Sequence, residues 1–518
     1  MSESIEDEDS RLLTTLDLIQ GNTAIPGNQK TGPVEEKFPR LYADRKTAAI
    51  ALGLTSLSIA MIAILATVQM EHGGLWFLVF VAYVPFLVVT IWQRNCLMHI
   101  VGAPFLITFI PWVIHFSVNS PERDLLTIPG MMSCCIVMSM LLFWWSRVDD
   151  GKPLGFAWVA KMTCLLTSMS LVIVGSGGIM YGISTALYQV PFLIQPIVIF
   201  GFGGLEAVVY SVNATIALTI YSGMFEGPTQ RSLMLRFAVV GTILILWCSV
   251  GSIVAAVTDP KGAIEVSAVG GSDIIADARL IVAHTQAHFV VFPEQDGIQE
   301  GSGHPEDACL DYIEKAFQKD NNPPDSFVTF GCYLGEGKKY VITIDPSGEL
   351  VNLFGNEDGR MQNRVLDRIP HGILKKGDKS DDFRFMAIGS NDLNFLDTPI
   401  PENVSLVLVP SEHKEKAVGH TAAFVIAAIA NRVSIVKAAA DGTAAIITYD
   451  GHRIARGRGI GNTDIHATVP LTYGVGSPRI RSRAGYGVFA IGLLFVVLWG
   501  LYAWVNEIRT RRRGDSDF

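Results

Sequence analysis

Residues 287–294 read Ala-His-Phe-Val-Val-Phe-Pro-Glu, a short apolar stretch that ends at a proline and a carboxylate. Its central part, Phe289 to Phe292, is rich in β-branched and aromatic residues and is followed by the turn signal Pro293-Glu294, so it predicts a short apolar β-strand. Similar runs alternate with helical stretches downstream, so we expect an α/β or α+β domain with a substantial sheet. The other predicted strands cover 340–344, 350–353, 385–388, 404–409, 434–438 and 444–449, and a helix covers 421–431.

On both sides of this domain the chain is far more apolar. The whole chain has 49% hydrophobic and 17% charged residues, whereas soluble chains carry about 25% charged residues. Upstream, apolar runs of about 20 residues follow one another, and each is long enough to cross a bilayer. The predicted spans are 47–69, 75–93, 96–118, 126–146, 156–179, 199–222 and 236–257, with an eighth at 485–506.

These runs divide the chain into five parts, which determine the expected topology. We expect a disordered cytosolic tail at 1–46, a seven-span membrane bundle at 47–257, the α/β domain at 258–484, an eighth transmembrane helix at 485–506 and a basic cytosolic tail at 507–518. Lysine and arginine concentrate in the segments on the side of the termini, while the short loops on the other side hold only Arg123. The positive-inside rule therefore predicts cytosolic termini and an exoplasmic domain.

An integral multi-pass protein with this topology fits more than one membrane. In a eukaryote we expect the plasma membrane or an endosomal or vacuolar membrane, and in a bacterium the inner membrane.

Charge and cysteine content exclude several function classes. The formal net charge of −9 argues against a nucleic-acid binder. The seven cysteines show no Cys-x-x-Cys pair and no Cys/His ligand spacing, so we expect no metal and no other cofactor. Cys309 and Cys332 lie in the predicted exoplasmic domain and could pair in an oxidising compartment, but the sequence does not decide between a disulfide and two thiols.

One ionisable residue, Glu206, falls inside the sixth predicted span. An ionised carboxylate at membrane depth is costly, so it needs a specific environment. It either lines a polar cavity that admits a headgroup or substrate, or it is a protonated or hydrogen-bonded packing residue. The sequence leaves both alternatives open.

Several motifs resemble, in order, segments of the nitrilase (carbon–nitrogen hydrolase) superfamily. The opening stretch 287–294 resembles the segment that delivers the catalytic Glu, and 386–395 (Met-Ala-Ile-Gly-Ser-Asn-Asp-Leu-Asn-Phe) resembles the nucleophile strand. Residues 409–411 and 419–421 resemble the stretch downstream of the nucleophile, and 436–444 with the 450–451 turn resembles the closing strands. Seven spans, this domain and one more span form the layout of apolipoprotein N-acyltransferases, so the resemblance covers about 47–506.

The resemblance implies a fold and a chemistry. The fold is a multi-span α-helical membrane bundle of about eight spans plus an exoplasmic α/β domain, a four-layer αββα sandwich. The chemistry is covalent catalysis, in which a Glu acts as general base, a Lys stabilises the oxyanion and a Cys carries the acyl group. Glu294 takes the place of the Glu. A membrane phospholipid is the implied acyl donor, and an amine on a lipoprotein or a small molecule is the implied acceptor.

Two catalytic positions depart from this pattern. Ser390 stands where the Cys is expected, and it is either a nucleophile that needs strong activation or a small turn residue in an inactive site. The Lys position holds Arg364 or Arg368, with Lys375 and Lys376 further downstream. Arginine keeps the charge, but its planar fork does not replace a compact ammonium. The candidate catalytic residues are thus Glu294, Ser390, Arg364 and Lys375, and the candidate substrate-binding residues are His420, Asp392 and Glu206.

Two function hypotheses follow from these residues. In the first, the chain is a membrane N-acyltransferase or amidase that is monomeric in the membrane and uses Ser390 in place of Cys. In the second, it is a catalytically inactive relative that keeps the bundle and the domain as a lipid- or protein-binding module.

Overall fold

The structure is a computed structural model that places part of the chain. The described residues are 45–66, 74–93, 155–177, 182–225, 230–270, 287–295, 309, 326–333, 339–357, 360–364, 367–368, 383–389, 400–401, 404–411, 418–439, 443–458 and 463–472. The predicted spans 96–118, 126–146 and 485–506, and almost all of both predicted tails, lie outside these residues.

Four long apolar helices form the amino-terminal half of the described structure. They are α1 (Arg45–Ile64), α3 (Phe156–Gly177), α5 (Ile197–Phe225, interrupted at Gly201) and α6 (Gln230–Val257), and each is long and apolar enough to cross a membrane. They coincide with four of the predicted spans. Large apolar side chains of α6, such as Ile245 and Ile253, point away from the protein. Such surfaces are unfavourable in water and indicate association with a membrane.

The predicted span 75–93 differs from a single crossing helix. It consists of a 3-10 helix (Trp76–Phe80) and a nine-residue helix α2 (Val84–Trp92) with a proline near its start. Proline favours the first turn of a helix because it has no N–H to donate, so Pro85 sets a new helix start within the apolar run. A nine-residue helix is about 14 Å long, which is shorter than the hydrocarbon core of roughly 30 Å.

The carboxy-terminal half contains thirteen described strands and one long helix. The strands are β1 (Gly262–Gly270), β2 (Phe289–Gln295), β3 (Phe327–Tyr333), β4 (Lys339–Ile344), β5 (Leu350–Glu357), β6 (Arg360–Arg364), β7 (Asp367–Arg368), β8 (Arg384–Ala387), β9 (Val404–Ser411), β10 (Ser434–Ala439), β11 (Thr443–Ile447), β12 (Arg453–Arg458) and β13 (Thr463–Leu471). Two further helices are α4 (Pro191–Ile194) in the bundle and α7 (Val418–Asn431) after β9.

The strands form one continuous hydrogen-bonded sheet that folds into two layers. The first layer has the order β13-β1-β2-β3-β4-β5-β6 and the second β12-β11-β10-β9-β8-β7, and the layers join where β1 meets β10 at Gly270 and Ala439. Six neighbouring strands, β3-β2-β1-β10-β9-β8, run parallel. A cluster of three rings, Phe289, Phe327 and Phe385, fills the space between the layers.

Helix α7 covers the outer face of the second layer, so three layers of the expected αββα sandwich are described. Its side chains from Thr421 to Asn431 are almost entirely buried because the other side of the helix packs on the bundle, against α4, α5 and the 3-10 helix Ile183–Gln189. The layer that would cover the first sheet lies outside the described residues.

The turn 448–452 and the adjoining Arg453 connect the domain to the bundle. Gln195 Nε2 of the bundle donates to the carbonyl of Asp450 at 2.8 Å, and the guanidinium of Arg453 lies 5.0 Å above the ring of Tyr188. Gly451 adopts φ +85°, and a Cβ at this position would lie within 2.8 Å of two Ile429 atoms and 3.3 Å from Pro191. Glycine is therefore required here for both its backbone and its size.

We expect Gly451→Ala to destabilise the protein by roughly 2–4 kcal/mol, because the left-handed backbone and the overpacking both cost energy. Gly348→Ala is the matched control, since Gly348 has the same φ of +85° but nothing within 4 Å of its would-be Cβ. Thermal unfolding of the full chain in detergent measures both variants. Equal losses would show that the contact with Ile429 and Pro191 contributes nothing.

Candidate functional site

The carboxyl ends of the parallel strands meet at one edge of the two-layered sheet. Glu294 is the last residue but one of β2, Ser411 ends β9, and Gly389 follows β8 by two residues. The buried glutamate is only 6% exposed. In parallel sheets this edge is where functional side chains gather, because the strands deliver their following residues to the same place.

A β-bulge directs Glu294 toward the space between the layers. Val291 of β2 pairs with Thr329 of β3, and Glu294 pairs with Gly331. An advance of three residues along β2 therefore corresponds to an advance of two residues along β3. The extra residue reverses the alternation of side chains. Phe289 and Val291 belong to the interlayer core, and the bulge places Glu294 on this same face. Without it, Glu294 would point to the outer face.

Gly331 provides the room for this carboxylate side chain. A Cβ on Gly331 would lie 3.0 Å from Glu294 Cβ, 3.0 Å from its Cγ and 3.1 Å from its Cα. Real Cβ atoms rarely tolerate such contacts with a neighbouring backbone. The Glu294 side chain therefore packs against position 331, where only glycine fits.

The aromatic cluster aligns β8 with β2. The rings of Phe289 and Phe385 lie 4.9 Å apart across the interlayer space, and the two strands run in the same direction. Glu294 follows Phe289 by five residues, and Gly389 follows Phe385 by four. The end of β8 therefore lies at the same edge of the sheet as Glu294. Ser390 is the next residue in sequence, and it lies outside the described residues together with Asp392 and Lys375.

Arg364 is not brought beside Glu294 within the sheet. It ends β6, where it pairs with Leu353 of β5, and three strands separate β6 from β2. At the usual strand spacing of about 4.8 Å this corresponds to roughly 19 Å across the sheet. His420 lies in the first turn of α7. Because α7 follows β9, this turn is at the same edge as Glu294.

Glu206 lies in the bundle and is completely buried. Its carboxylate accepts hydrogen bonds from Ser170 Oγ at 2.9 Å, from the Ser184 N–H at 3.0 Å and from Ser184 Oγ at 2.5 Å. These contacts tie the 3-10 helix Ile183–Gln189 to α3 and α5. They favour the packing alternative over an open polar cavity.

Sequence reasoning left the state of Cys309 and Cys332 open, and the structure joins them in a disulfide. Cys332 follows Gly331 on β3, and its partner position on β2 is Gln295, next to Glu294. The bond therefore fixes residue 309 beside the strand that supports the glutamate. Among the described residues Cys164 and Cys248 are free thiols.

We expect Cys332→Ser to cost about 3 kcal/mol, because the bond spans 23 residues and restricts the unfolded chain. Cys248→Ser, which removes a free thiol from α6, is the control and should leave stability nearly unchanged. Thermal unfolding with and without reductant measures the difference. Equal stability of the two variants, together with no linked peptide on non-reducing digestion, would contradict the disulfide.

Two buried cations were not singled out by the sequence. Lys437, 1% exposed on β10, has its ammonium 5.0 Å from the centre of the Phe424 ring of α7, so it faces the helix layer rather than the carboxyl-end edge. Arg432 directly follows α7 with φ 56°. Glycine or asparagine is usual in this conformation at a helix end. The sequence signal that could have drawn attention to Arg432 is therefore an arginine at this position, directly after Asn431.

Among the described residues no group of three or more His, Cys, Asp or Glu side chains could hold a metal ion.

No family profile and no curated protein matches the chain. Among solved structures, the chain is similar to the amidase from Nesterenkonia sp. AN1, with 12% identity and a TM-score of 0.31 over 39% of this chain and 92% of that one. It is also similar to a carbon–nitrogen hydrolase from Helicobacter pylori G27, with 9% identity and a TM-score of 0.28 over 40% and 90% of the two chains. At these scores the likeness carries no argument about activity or site residues. The structural neighbours are nitrilase-superfamily carbon–nitrogen hydrolases, at low identity.

Proposed function

We propose that the chain is a membrane-embedded acyltransferase or amidase of the carbon–nitrogen hydrolase type, with Glu294 as general base and Ser390 as nucleophile. The observation that carries the proposal is the placement of Glu294. It is buried, turned inward by a bulge, and supported by a glycine that leaves space for it.

The proposed reaction has two steps. The Glu294 carboxylate takes the proton of the Ser390 hydroxyl while the oxygen attacks an acyl carbonyl carbon, and the protonated Glu294 then gives this proton to the leaving oxygen or nitrogen. The acyl group is now an ester on Ser390. In the second step an amine or water attacks the ester, Glu294 takes its proton, and the proton returns to the serine oxygen as the carbonyl re-forms.

A cation is needed near the carbonyl oxygen during both steps. Arg364 is three intervening strands away from β2, so Lys375 is the better candidate for this role. The ammonium would stabilise the negative charge that develops on the tetrahedral intermediate.

We further propose a phospholipid as acyl donor and an amine of a lipoprotein or a small molecule as acceptor. The lipid-facing apolar surface of α1 and α6 supports this assignment, because it places the domain next to a bilayer. The disulfide supports an exoplasmic position for the domain, since disulfides persist in oxidising compartments. Cytosolic termini and a monomeric state are part of the same proposal.

The second candidate is a non-catalytic lipid- or protein-binding module. Serine in place of the expected thiol, and the distance of Arg364 from β2, favour it. The variant Ser390→Cys distinguishes the two, because a thiol is a far better nucleophile at neutral pH. We expect Ser390→Cys to transfer acyl chains from a phosphatidylethanolamine and phosphatidylglycerol mixture at least as fast as the wild type. Absence of acyl transfer by both the wild type and Ser390→Cys would favour the binding module.

A further inference from the structure

The disulfide between Cys309 and Cys332 and the carboxylate of Glu294 lie on opposite faces of the first sheet layer. Phe327 at the start of β3 belongs to the aromatic cluster between the layers. Because β3 pairs with β4 without irregularity, its side chains alternate regularly between the two faces. Gly331 therefore faces the interlayer space with Glu294, whereas Cys332 faces the outer side of the layer. The bond to Cys309 approaches β3 from behind the position against which Glu294 packs.

Few backbone pairs hold the end of β2. In the described residues, β2 pairs with β1 only from Phe289 to Val291. Beyond the bulge its neighbour in this part of the chain is β3, where Glu294 pairs with Gly331 and the next residue pairs with Cys332. A bulge disrupts the ladder locally, so these two pairs determine where the backbone of Glu294 lies.

A displacement of β3 at this point would be transmitted to the carboxylate side chain. Gly331 lies so close to Glu294 that a Cβ at position 331 would lie within 3.1 Å of three atoms of the glutamate. Cys332 is the next residue of β3, and its side chain and that of Cys309 are completely buried. A buried covalent bond at Cys332 therefore restricts the residue that supports Glu294.

The two ends of β3 are fixed in different ways. Its start is held on the interlayer face by the Phe327 ring, and its middle is held by a 2.8 Å hydrogen bond between Thr329 Oγ1 and Thr343 Oγ1 of β4. The strand ends at Tyr333, one residue after the disulfide. Because the ends of elements open most easily by local unfolding, the disulfide acts on the part of β3 with the greatest tendency to open.

We propose that Cys309 and Cys332 are positioning residues for Glu294, and that their disulfide keeps the general base in place. This inference rests on the proposed role of Glu294. The bond holds the end of β3, the end of β3 holds the bulged end of β2, and the carboxylate keeps one position relative to the reacting hydroxyl. A base must lie within hydrogen-bond reach of its proton, so loss of the bond should slow the chemical step more than it weakens substrate binding. The base is then fully placed only in an oxidised chain, which ties activity to an oxidising compartment.

The first test measures the exposure of Glu294 and needs no activity. A water-soluble carbodiimide with glycine ethyl ester converts accessible carboxyl groups into amides, and peptide mass spectrometry of the full chain in detergent gives the rate at each site. We expect Glu294 to be labelled several-fold faster in Cys309→Ser and in Cys332→Ser than in the wild type. Cys309→Ser is the sharper variant, because it leaves the sequences of β2 and β3 unchanged. Glu206, which is completely buried in the bundle, should be labelled at the wild-type rate in all samples.

Gly451→Ala is the matched control for stability. It lowers the stability of the protein through contacts with Ile429 and Pro191, away from β2 and β3, and all samples are compared well below their Tm. We expect Glu294 to be labelled at the wild-type rate in this variant. A wild-type sample reduced with dithiothreitol, in which non-reducing digestion verifies loss of the cross-link, gives the same comparison if either cysteine variant fails to fold.

Kinetic measurements then separate positioning from binding. With labelled phosphatidylethanolamine as acyl donor, we expect both cysteine variants to lower kcat roughly tenfold and to leave KM nearly unchanged, whereas Gly451→Ala keeps both values. The inference is overturned if Glu294 is labelled at the wild-type rate in both cysteine variants, or if it is labelled as fast in Gly451→Ala as in them. Faster labelling in the cysteine variants alone, combined with an unchanged kcat or with no activity in any protein, would support placement of Glu294 by the disulfide and contradict its role as general base.

Discussion

Replacing Glu294 by glutamine is expected to lower the rate of acyl transfer by about 100- to 10,000-fold, the usual contribution of a general base. Glutamine keeps the size of the side chain but cannot take the proton of the attacking hydroxyl. The assay follows release of the labelled acyl chain from phosphatidylethanolamine by the full chain in detergent. Stability should change little, so the loss would lie in the chemistry.

Gly331→Ala provides an independent approach to the same site. A Cβ at 3.0 Å from Glu294 Cβ and Cγ is tighter than an ordinary contact, so Glu294 must shift by a few tenths of an ångström. We therefore expect a measurable loss of rate that is smaller than the roughly 100-fold that a misplacement of about 1 Å can cost. Gly241→Ala in α6 is the control, because its would-be Cβ meets nothing within 4 Å. Full activity of both Glu294→Gln and Gly331→Ala would remove Glu294 from the mechanism.

The second large effect is expected for Phe385→Ala, which should destabilise the protein by about 3–5 kcal/mol. The Phe385 ring lies 4.9 Å from Phe289 and 5.9 Å from Phe327, so its removal leaves a cavity between the two layers. For a domain of this size the loss corresponds to a fall in Tm of roughly 6–20 °C. Activity should fall as well, because the same contact aligns β8 with β2.

Leu350→Ala is the control for this substitution, since Leu350 is a large apolar residue that is 41% exposed. It should change the Tm by no more than a few degrees. If Phe385→Ala were as stable as this control, the two layers would not be held by the aromatic cluster.

Local patterns in the sequence were sufficient to predict most of the described elements. The strands at 289–292, 340–344 and 350–353 and the helix at 421–431 all appear in the structure, because periodicity and turn residues determine such elements locally. The range 75–93 is not one long α-helix, since a turn at 81–83 separates the 3-10 helix Trp76–Phe80 from α2, which begins one residue before Pro85. Length alone cannot reveal such a break.

The candidate site was less predictable because it depends on contacts between distant residues. The bulge that turns Glu294 inward arises from the pairing of β2 with β3, and neither strand shows it alone. The disulfide between Cys309 and Cys332 depends on where Cys309 lies relative to β3, which neither residue's local sequence determines. The buried state of Arg432 arises only when α7 packs on the bundle, and no sequence pattern contains that information.

The most direct measurement is the intact mass of the purified protein after incubation with phospholipid, compared with Ser390→Ala. We predict a mass gain of one acyl chain on the wild type and none on the variant, which would establish an ester on Ser390. An adduct that appears only on Ser390→Cys would show an intact site without a working nucleophile. No adduct on the wild type or on Ser390→Cys would contradict the catalytic account.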